Sequence, residues 1–340
     1  MKNFILILFA LLMLKGGIYC KEVSADTLKP KCDYYTDNII KLFTEKYEQD
    51  VTGIVCNSQD KKSFIQIKNG LAHGNSKLYY NGGVLLLEAN FQNGKLEGIG
   101  KEYYESGALK SENNYKNGKL EGISKTYYES GALKSEGNFK NDKLEGIGKE
   151  YYESGALKSE GNFKNDKLEG ILKGYYESGT LNVEMNFKNG KQEGIEKFYY
   201  ESGALQEERN FKNGKSEGIS KGYYESGALK SEENFKNDKK EGITKIYYES
   251  GALQLEGNFK NGKLEGILKG YYENGVLRSE GNFQNGKLEG ISKTYYENGK
   301  LWATITYKNN KAVSGICANG KKWNNAELSN WENGLEVSCN

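Results

Sequence analysis

Residues 127–150 read YYESGALKSEGNFKNDKLEGIGKE, and residues 151–171 repeat residues 127–147 without a change. The stretch carries two turn signals, Ser130-Gly131 and Asn141-Asp142; in other copies the second is Asn-Gly, as at Asn117-Gly118 and Asn261-Gly262. Asn, Asp and Gly tolerate the positive φ that tight hairpin turns demand. Between the turns lie segments of strand length, Gly146 to Tyr152 and Ala132 to Lys140. A helix across them would be interrupted by each glycine turn. The stretch therefore reads as a β-hairpin.

Outward from it, the pair Tyr-Tyr recurs at Tyr79, Tyr103, Tyr127, Tyr151, Tyr175, Tyr199, Tyr223, Tyr247, Tyr271 and Tyr295, 24 residues apart each time. A fixed period of this kind marks an array whose repeats bury apolar groups against their neighbours. The expected fold class is all-β: an elongated array of β-hairpin repeats forming a twisted single-layer sheet, with small irregular caps at both ends. In the copy that begins at Tyr103, the positions that define the repeat are Tyr103, Tyr104, Gly107, Leu109, Tyr115, Gly118, Gly122 and Ile123.

Alternation along a strand assigns faces. Leu133, Ser135, Gly137 and Phe139 are expected on one side, with Lys134, Glu136, Asn138 and Lys140 on the other. On the preceding type of strand, Ile147, Lys149 and Tyr151 share a side and Tyr152 projects oppositely. Ladders of Leu, aromatic and Ile should then bury the apolar groups. The glycine of the Gly122 column is expected to let an aromatic ring lie against the backbone. Lys101 and Glu112, with their counterparts, should form exposed cross-strand pairs contributing ~0–1 kcal/mol each. The residue before the Tyr pair varies among Glu102, Thr126, Phe198 and Ile246, which reads as an exposed position with no single shared ligand.

The ends differ. Residues 1–20 open with Lys2 and carry an apolar run from Phe4 to Leu14. That run is shorter than the ~20 residues a membrane helix needs, and it reads as a secretory signal peptide. Lipidation at Cys20 is the lesser alternative, since Tyr19 is bulky beside it. Residues 21–52 form an N-terminal cap region, 53–315 the repeat array and 316–340 a C-terminal cap. In an exported chain the remaining cysteines are expected as two local disulfides, Cys32–Cys56 and Cys317–Cys339. A short amphipathic helix is expected over 33–48. Trp331-Glu332-Asn333-Gly334 falls 24 residues after Tyr307, in phase with the repeat.

Composition narrows the function classes. The net charge is +2, and once Lys2 and Lys15 of residues 1–20 are set aside, bases and acids are equal in number. No global basic excess points to nucleic acid. The single histidine, His73, stands where other copies have Glu and reads as a drifted repeat position. The carboxylates recur with the repeat, so no unrepeated acidic pair or polar constellation is expected, and no phosphate-loop motif occurs. The chain is expected to be no enzyme, with no catalytic residues, cofactor or metal.

The steps Tyr-Tyr-Glu-Ser/Asn-Gly, Asn-Gly-Lys and Glu-Gly-Ile, over roughly residues 53–334, resemble the variant MORN repeat of bacterial proteins. The resemblance implies twisted sheets of hairpins, no shared catalytic residues, and a role as scaffold or binding surface. The functional expectation is an exported or cell-surface, non-enzymatic scaffold mediating protein–protein, host-surface or lipid interactions. The alternative is an antitoxin or immunity protein neutralising a partner toxin, a label that some bacterial members carry. The expected location is periplasmic, outer-surface or secreted. The expected form is a monomeric rod whose partner is an unidentified protein or membrane surface.

Overall fold

A computed structural model of the chain describes residues 34–36, 53–57, 63–80, 82–335 and 337–339. The expected signal peptide, Cys20 and the expected Cys32–Cys56 pairing lie outside the described residues, Cys56 being described only as strand backbone. Part of the expected helix over 33–48 is corrected: Tyr34–Thr36 is a strand, paired in parallel with Val55, Cys56 and Asn57. Aromatic and β-branched residues favour that conformation. The chain divides into two bodies, Met1–Lys167 and Leu168–Asn340, both built from one hairpin type.

In the first body the strands Leu109–Lys116, Lys119–Tyr127, Leu133–Lys140, Lys143–Tyr151 and Leu157–Lys164 pair antiparallel in chain order. In the second, Leu181–Lys188, Gly194–Tyr199, Leu205–Lys212, Gly218–Tyr223 and Leu229–Lys236 do the same. The two turn chemistries alternate. At Asn117-Gly118 both residues have positive φ, 53° and 81°, and at Asn141-Asp142 the values are 52° and 65°. These are two-residue turns of the type I′ kind, whose twist matches that of the flanking strands. Where Asp replaces Gly, its carboxylate offsets part of the strain: Asp142 Oδ1 accepts from the Leu120 amide at 2.7 Å. At the other turn, the Tyr128 carbonyl accepts from the Gly131 amide at 2.9 Å and the Tyr128 amide donates to Ala132 at 2.8 Å. Gly131 sits at φ 89°, closing a three-residue loop.

Two bulges shape each repeat. Phe139 pairs with Leu144 and Gly137 with Gly148, so Glu145-Gly146-Ile147 faces the single residue Asn138. Gly146 takes φ 82° and nothing lies within 4 Å of where its Cβ would be. The glycine is thus required by the bulge's backbone and not, as expected, by a ring lying on it. Rings do approach other glycines: a Cβ on Gly148 would stand 3.1 Å from the Phe163 ring.

The second bulge corrects the expected faces. Leu133 pairs with Tyr127, whereas Ser135 pairs with Thr126. Lys134 is the extra residue, so Leu133 leaves the column of Ser135, Gly137 and Phe139 and sits across from Tyr127. The leucine that does pack with Phe139 is Leu144, its cross-strand partner. A Cβ on Gly137 would come within 2.6 Å of the Leu144 side chain, so the missing side chain makes room for it.

A single layer leaves few residues fully buried. Phe139, 8% exposed, is one of them. The main buried cluster closes the second body: Ala303, Ile305, Ala312, Cys317, Trp323 and Val337. Over it lies the helix Asn325–Glu332, which replaces the repeat-phase reading of Trp331–Gly334. Its start is a capping box: Asn324 accepts from the Glu327 amide at 2.9 Å, and Glu327 accepts from the Asn324 amide at 2.8 Å. Trp302, Trp323 and Trp331 meet with ring centroids 5.3–5.7 Å apart. A disulfide joins Cys317 to Cys339, as expected.

Candidate functional site

Each repeat offers two chemically different faces. One carries the Leu144 and Phe139 columns. The other carries the isoleucine that follows the bulge, and here the expected burial is corrected. Ile99, Ile123 and Ile147 in the first body, and Ile171, Ile195, Ile219, Ile243, Ile267 and Ile291 in the second, are 49–61% exposed. Among the described residues no second layer covers this side of the sheet in either body. Beside the isoleucines run Lys–Glu rungs: Lys101–Glu112 at 3.2 Å, Lys197–Glu208 at 3.6 Å and Lys221–Glu232 at 3.7 Å. They join directly opposed residues on neighbouring strands, so each rung is neutral.

Two contacts not evident in the sequence hold successive repeats together. The Tyr104 hydroxyl donates to the Tyr127 carbonyl and that of Tyr128 to Tyr151, each at 2.8 Å. In the second body Tyr176, Tyr224, Tyr248 and Tyr272 make the same bond to Tyr199, Tyr247, Tyr271 and Tyr295 at 2.8 Å. The glutamate of each Glu-Gly-Ile step reaches the next tight turn. Glu97 Oε2 accepts from the Asn117 amide at 2.8 Å, and Glu193 Oε2 from Asn213 at 2.8 Å. A carboxylate on an otherwise orphaned turn amide is a charge-assisted bond.

The structure places the repeat-defining residues accordingly. Tyr103 pairs with Leu109; Gly107, Gly118 and Gly122 hold φ of 87°, 81° and 94°; Ile123 is exposed. Tyr115 is packed beside Gly100, and burial pushes its hydroxyl up to about 12. The residue before the Tyr pair is not the exposed position expected. Glu102 is largely covered and bonds Lys110 at 2.7 Å, while Thr126 Oγ1 and Ser135 Oγ are 2.6 Å apart. That column lies on the leucine–phenylalanine face, where its variety changes local packing.

One region departs from the pattern, contrary to the expectation that no unrepeated polar constellation exists. The leucine column of Leu96, Leu120, Leu144, Leu168, Leu264 and Leu288 is broken by Gln192, Ser216 and Lys240. In those same three repeats, neighbouring columns gain Glu196, Glu207, Arg209 and Glu233, where other copies hold mostly Gly or Ser. The Arg209 guanidinium is bidentate on Glu207 through Nε and Nη2, both at 2.7 Å, and lies 5.2 Å over the Phe198 ring. Glu196, 5% exposed, faces Arg209 across the strands and accepts from Gln192 at 3.1 Å. Burial holds its carboxyl above the usual range, although Arg209 pulls the other way. Lys240 bonds Glu233 at 2.7 Å. Aligning the repeats column by column, and not along each strand, exposes this window in the sequence.

His73, on the strand Leu71–Tyr79, has its Nδ1 buried and without a hydrogen-bond partner. Among the described residues no cluster of His, Cys, Asp and Glu could hold a metal ion, and no helix is long and apolar enough to cross a membrane.

Comparison with curated proteins finds no match. Among solved structures, the chain is similar to the crystal structures of TcdB2-TccC3 and of TcdB2-TccC3-Cdc42. Both are 14% identical over 71% and 73% of this chain, with a TM-score of 0.17. The chain spans 15% of the length of those chains. The MORN repeat matches residues 256–267. The MORN repeat variant matches ten times, from 72–93 and 96–117 through to 264–285 and 288–309, one match for each hairpin period described above. The chain belongs to the MORN repeat variant family.

Proposed function

We propose that the chain is an exported, non-enzymatic scaffold that binds a protein partner through its isoleucine-bearing face. The observation that carries this reading is the column of half-exposed isoleucines in each body, one per repeat, Ile99 to Ile147 in the first and Ile171 to Ile291 in the second. Contiguous exposed apolar surface rimmed by polar groups marks an interaction site. The Lys–Glu rungs beside it cancel in charge, which favours a protein over an anionic lipid surface, where basic clusters supply the attraction. The family's general role in protein and membrane binding supports the coarser reading. The Cys317–Cys339 disulfide supports an oxidising compartment outside the cytosol.

The test joins two measurements. Cell fractionation should place the protein outside the cytoplasm with Cys317 and Cys339 oxidised. A partner recovered by cross-linking on intact cells should bind the full chain, and should be lost when Ile195, Ile219 and Ile243 are together changed to Ser, with circular dichroism unchanged. Deleting residues 127–150, one whole repeat, should weaken binding only in part. Cytoplasmic retention, or undiminished binding by the folded triple variant, overturns the reading.

A further inference from the structure

Part of the unrepeated polar window lines an open surface hollow of about 450 Å³ on the leucine–phenylalanine face of the second body. Its formation can be traced to individual residues. The position before the Tyr pair is Phe198 in one repeat, Ile246 two repeats later, and Gly222 between them. Gly222 therefore leaves open the space that its column fills on either side. Its direct neighbours are Glu207 on one strand and Ser231 on the other. Ser220, two residues back, is opposite Glu233. Gly222 and Ser220 thus form a low floor between taller walls.

Each wall carries both charges, Arg209 beside Glu207 on one and Lys230 with Glu233 on the other. Arg209 stands on the strand Leu205–Lys212 and Glu233 on Leu229–Lys236, either side of the strand Gly218–Tyr223 that forms the floor. Arg209 uses Nε and Nη2 on Glu207, which leaves Nη1 as a further donor. Lys230 adds a second cation at the rim, 5.5 Å over the Tyr224 ring. Glu233 holds Lys240 through Oε1, which leaves Oε2 as an acceptor. Phe198 and Tyr200 supply aromatic surface at one end. A cavity of a few hundred Å³ with an aromatic lining and a few convergent polar groups is the usual form of a small-ligand site.

We propose that this hollow binds a small zwitterion of the α-amino-acid class. The carboxylate lies toward Arg209 and Lys230, the ammonium toward Glu233, and an apolar side chain against Phe198 and Tyr200. The two walls are two strand spacings apart, roughly 9.6 Å. A simple anion would leave Glu233 facing it, and a simple cation would face Arg209. A ligand with both charges meets cations and carboxylates of the lining at once. The inference does not depend on what the isoleucine face binds.

The experiment is titration of the full chain with L-phenylalanine, followed by ligand-observed NMR and calorimetry. N-acetyl-L-phenylalanine, which lacks the ammonium, and L-phenylalaninamide, which lacks the carboxylate, are titrated beside it. L-phenylalanine should bind, and each analogue should bind at least about tenfold more weakly, the loss expected for one charge-assisted bond. Arg209→Gln should weaken binding by a similar factor. Since that change leaves Glu207 unpaired and can loosen the strand, Gly222→Ile is the second variant. It copies Ile246 of the next repeat and alters no charge; its Cβ would stand 2.7 Å from Ser231 Oγ, which must rotate away. It should abolish binding while the circular dichroism stays that of the unaltered chain. No binding of L-phenylalanine, equal binding of the two analogues and the parent, or full binding by folded Gly222→Ile would each overturn the proposal.

Discussion

The Tyr200 hydroxyl donates to the carbonyl of Tyr223, 23 residues ahead, at 2.9 Å. The same bond recurs along each body. It divides the labour within the Tyr-Tyr pair: the second tyrosine of one repeat supplies a hydroxyl, and the first tyrosine of the next supplies a carbonyl. An aromatic ring alone would satisfy packing, but only tyrosine supplies the donor.

Tyr200→Phe should therefore cost about 1 kcal/mol, the usual net worth of a hydrogen bond in a partly buried setting. Tyr199→Phe should change stability by less than about 0.5 kcal/mol, since among the described residues the Tyr199 hydroxyl makes no hydrogen bond. Urea unfolding of the two variants beside the parent separates them. Equal losses would refute the assignment.

Glu196 gives a pH dependence with a definite sign. Its carboxyl is raised in the folded chain, chiefly by burial. As pH rises, the unfolded chain therefore gives up this proton first. The stabilising contribution of the protonated group is present at acid pH and falls away as pH climbs through the raised value. Glu196→Gln should be more stable than the parent at neutral pH, and the gain should vanish below the ordinary carboxylate range near ~4. Unfolding midpoints at the two pH values decide it.

The two apolar columns should respond differently to truncation. Phe139→Ala removes a side chain that is 8% exposed and should cost about 3 kcal/mol, the low end for a core aromatic. Ile147→Ser, at 61% exposure, should stay within about 0.5 kcal/mol of the parent. If Ile147→Ser proved as costly as Phe139→Ala, the isoleucine face would be covered in solution by something the chain itself supplies.

The C-terminal cap can be followed alone. All three tryptophans of the chain, Trp302, Trp323 and Trp331, meet over the Cys317–Cys339 disulfide. Cys339→Ser should destabilise the cap by ~2–4 kcal/mol. Tryptophan fluorescence should then change at lower urea than the β-sheet circular dichroism does. Coincident transitions in the variant would show that the cap and the hairpins unfold as one.

The hairpins were legible because Asn117-Gly118 and Ser130-Gly131 carry their turn geometry locally, and the Tyr period repeats without slippage. What stayed hidden depends on contacts between strands. Nothing local says that Lys134 is a bulge residue, so simple alternation put Leu133 on the wrong face. The carboxylate of Glu97 meets the amide of Asn117 only once the sheet has formed. Sequence spacing paired Ile123 with an expected interior, yet a single layer has no interior on that side. The cap helix could have been read from Asn324 and Glu327, a capping-box spacing that the repeat phase of Trp331 obscured. Glu196, Glu207, Arg209 and Glu233 look like ordinary array charges until their columns are compared.

Because every repeat passes the same tyrosine donor forward and receives the next turn's amide on the same glutamate, its bonds are written in relative positions. Adding or removing 24 residues within a body restores each donor to an equivalent acceptor, whereas a change of any other length orphans a turn amide and a tyrosine hydroxyl at the seam. Length is thus inherited in whole steps. The stretch 151–171, identical to 127–147, is the mark such a copying event leaves in the gene. Selection can therefore tune the number of repeats without inventing a new one. Gln192, Glu196 and Arg209 show the complementary freedom: once a copy is present, it can diverge on its own while its neighbours keep the sheet.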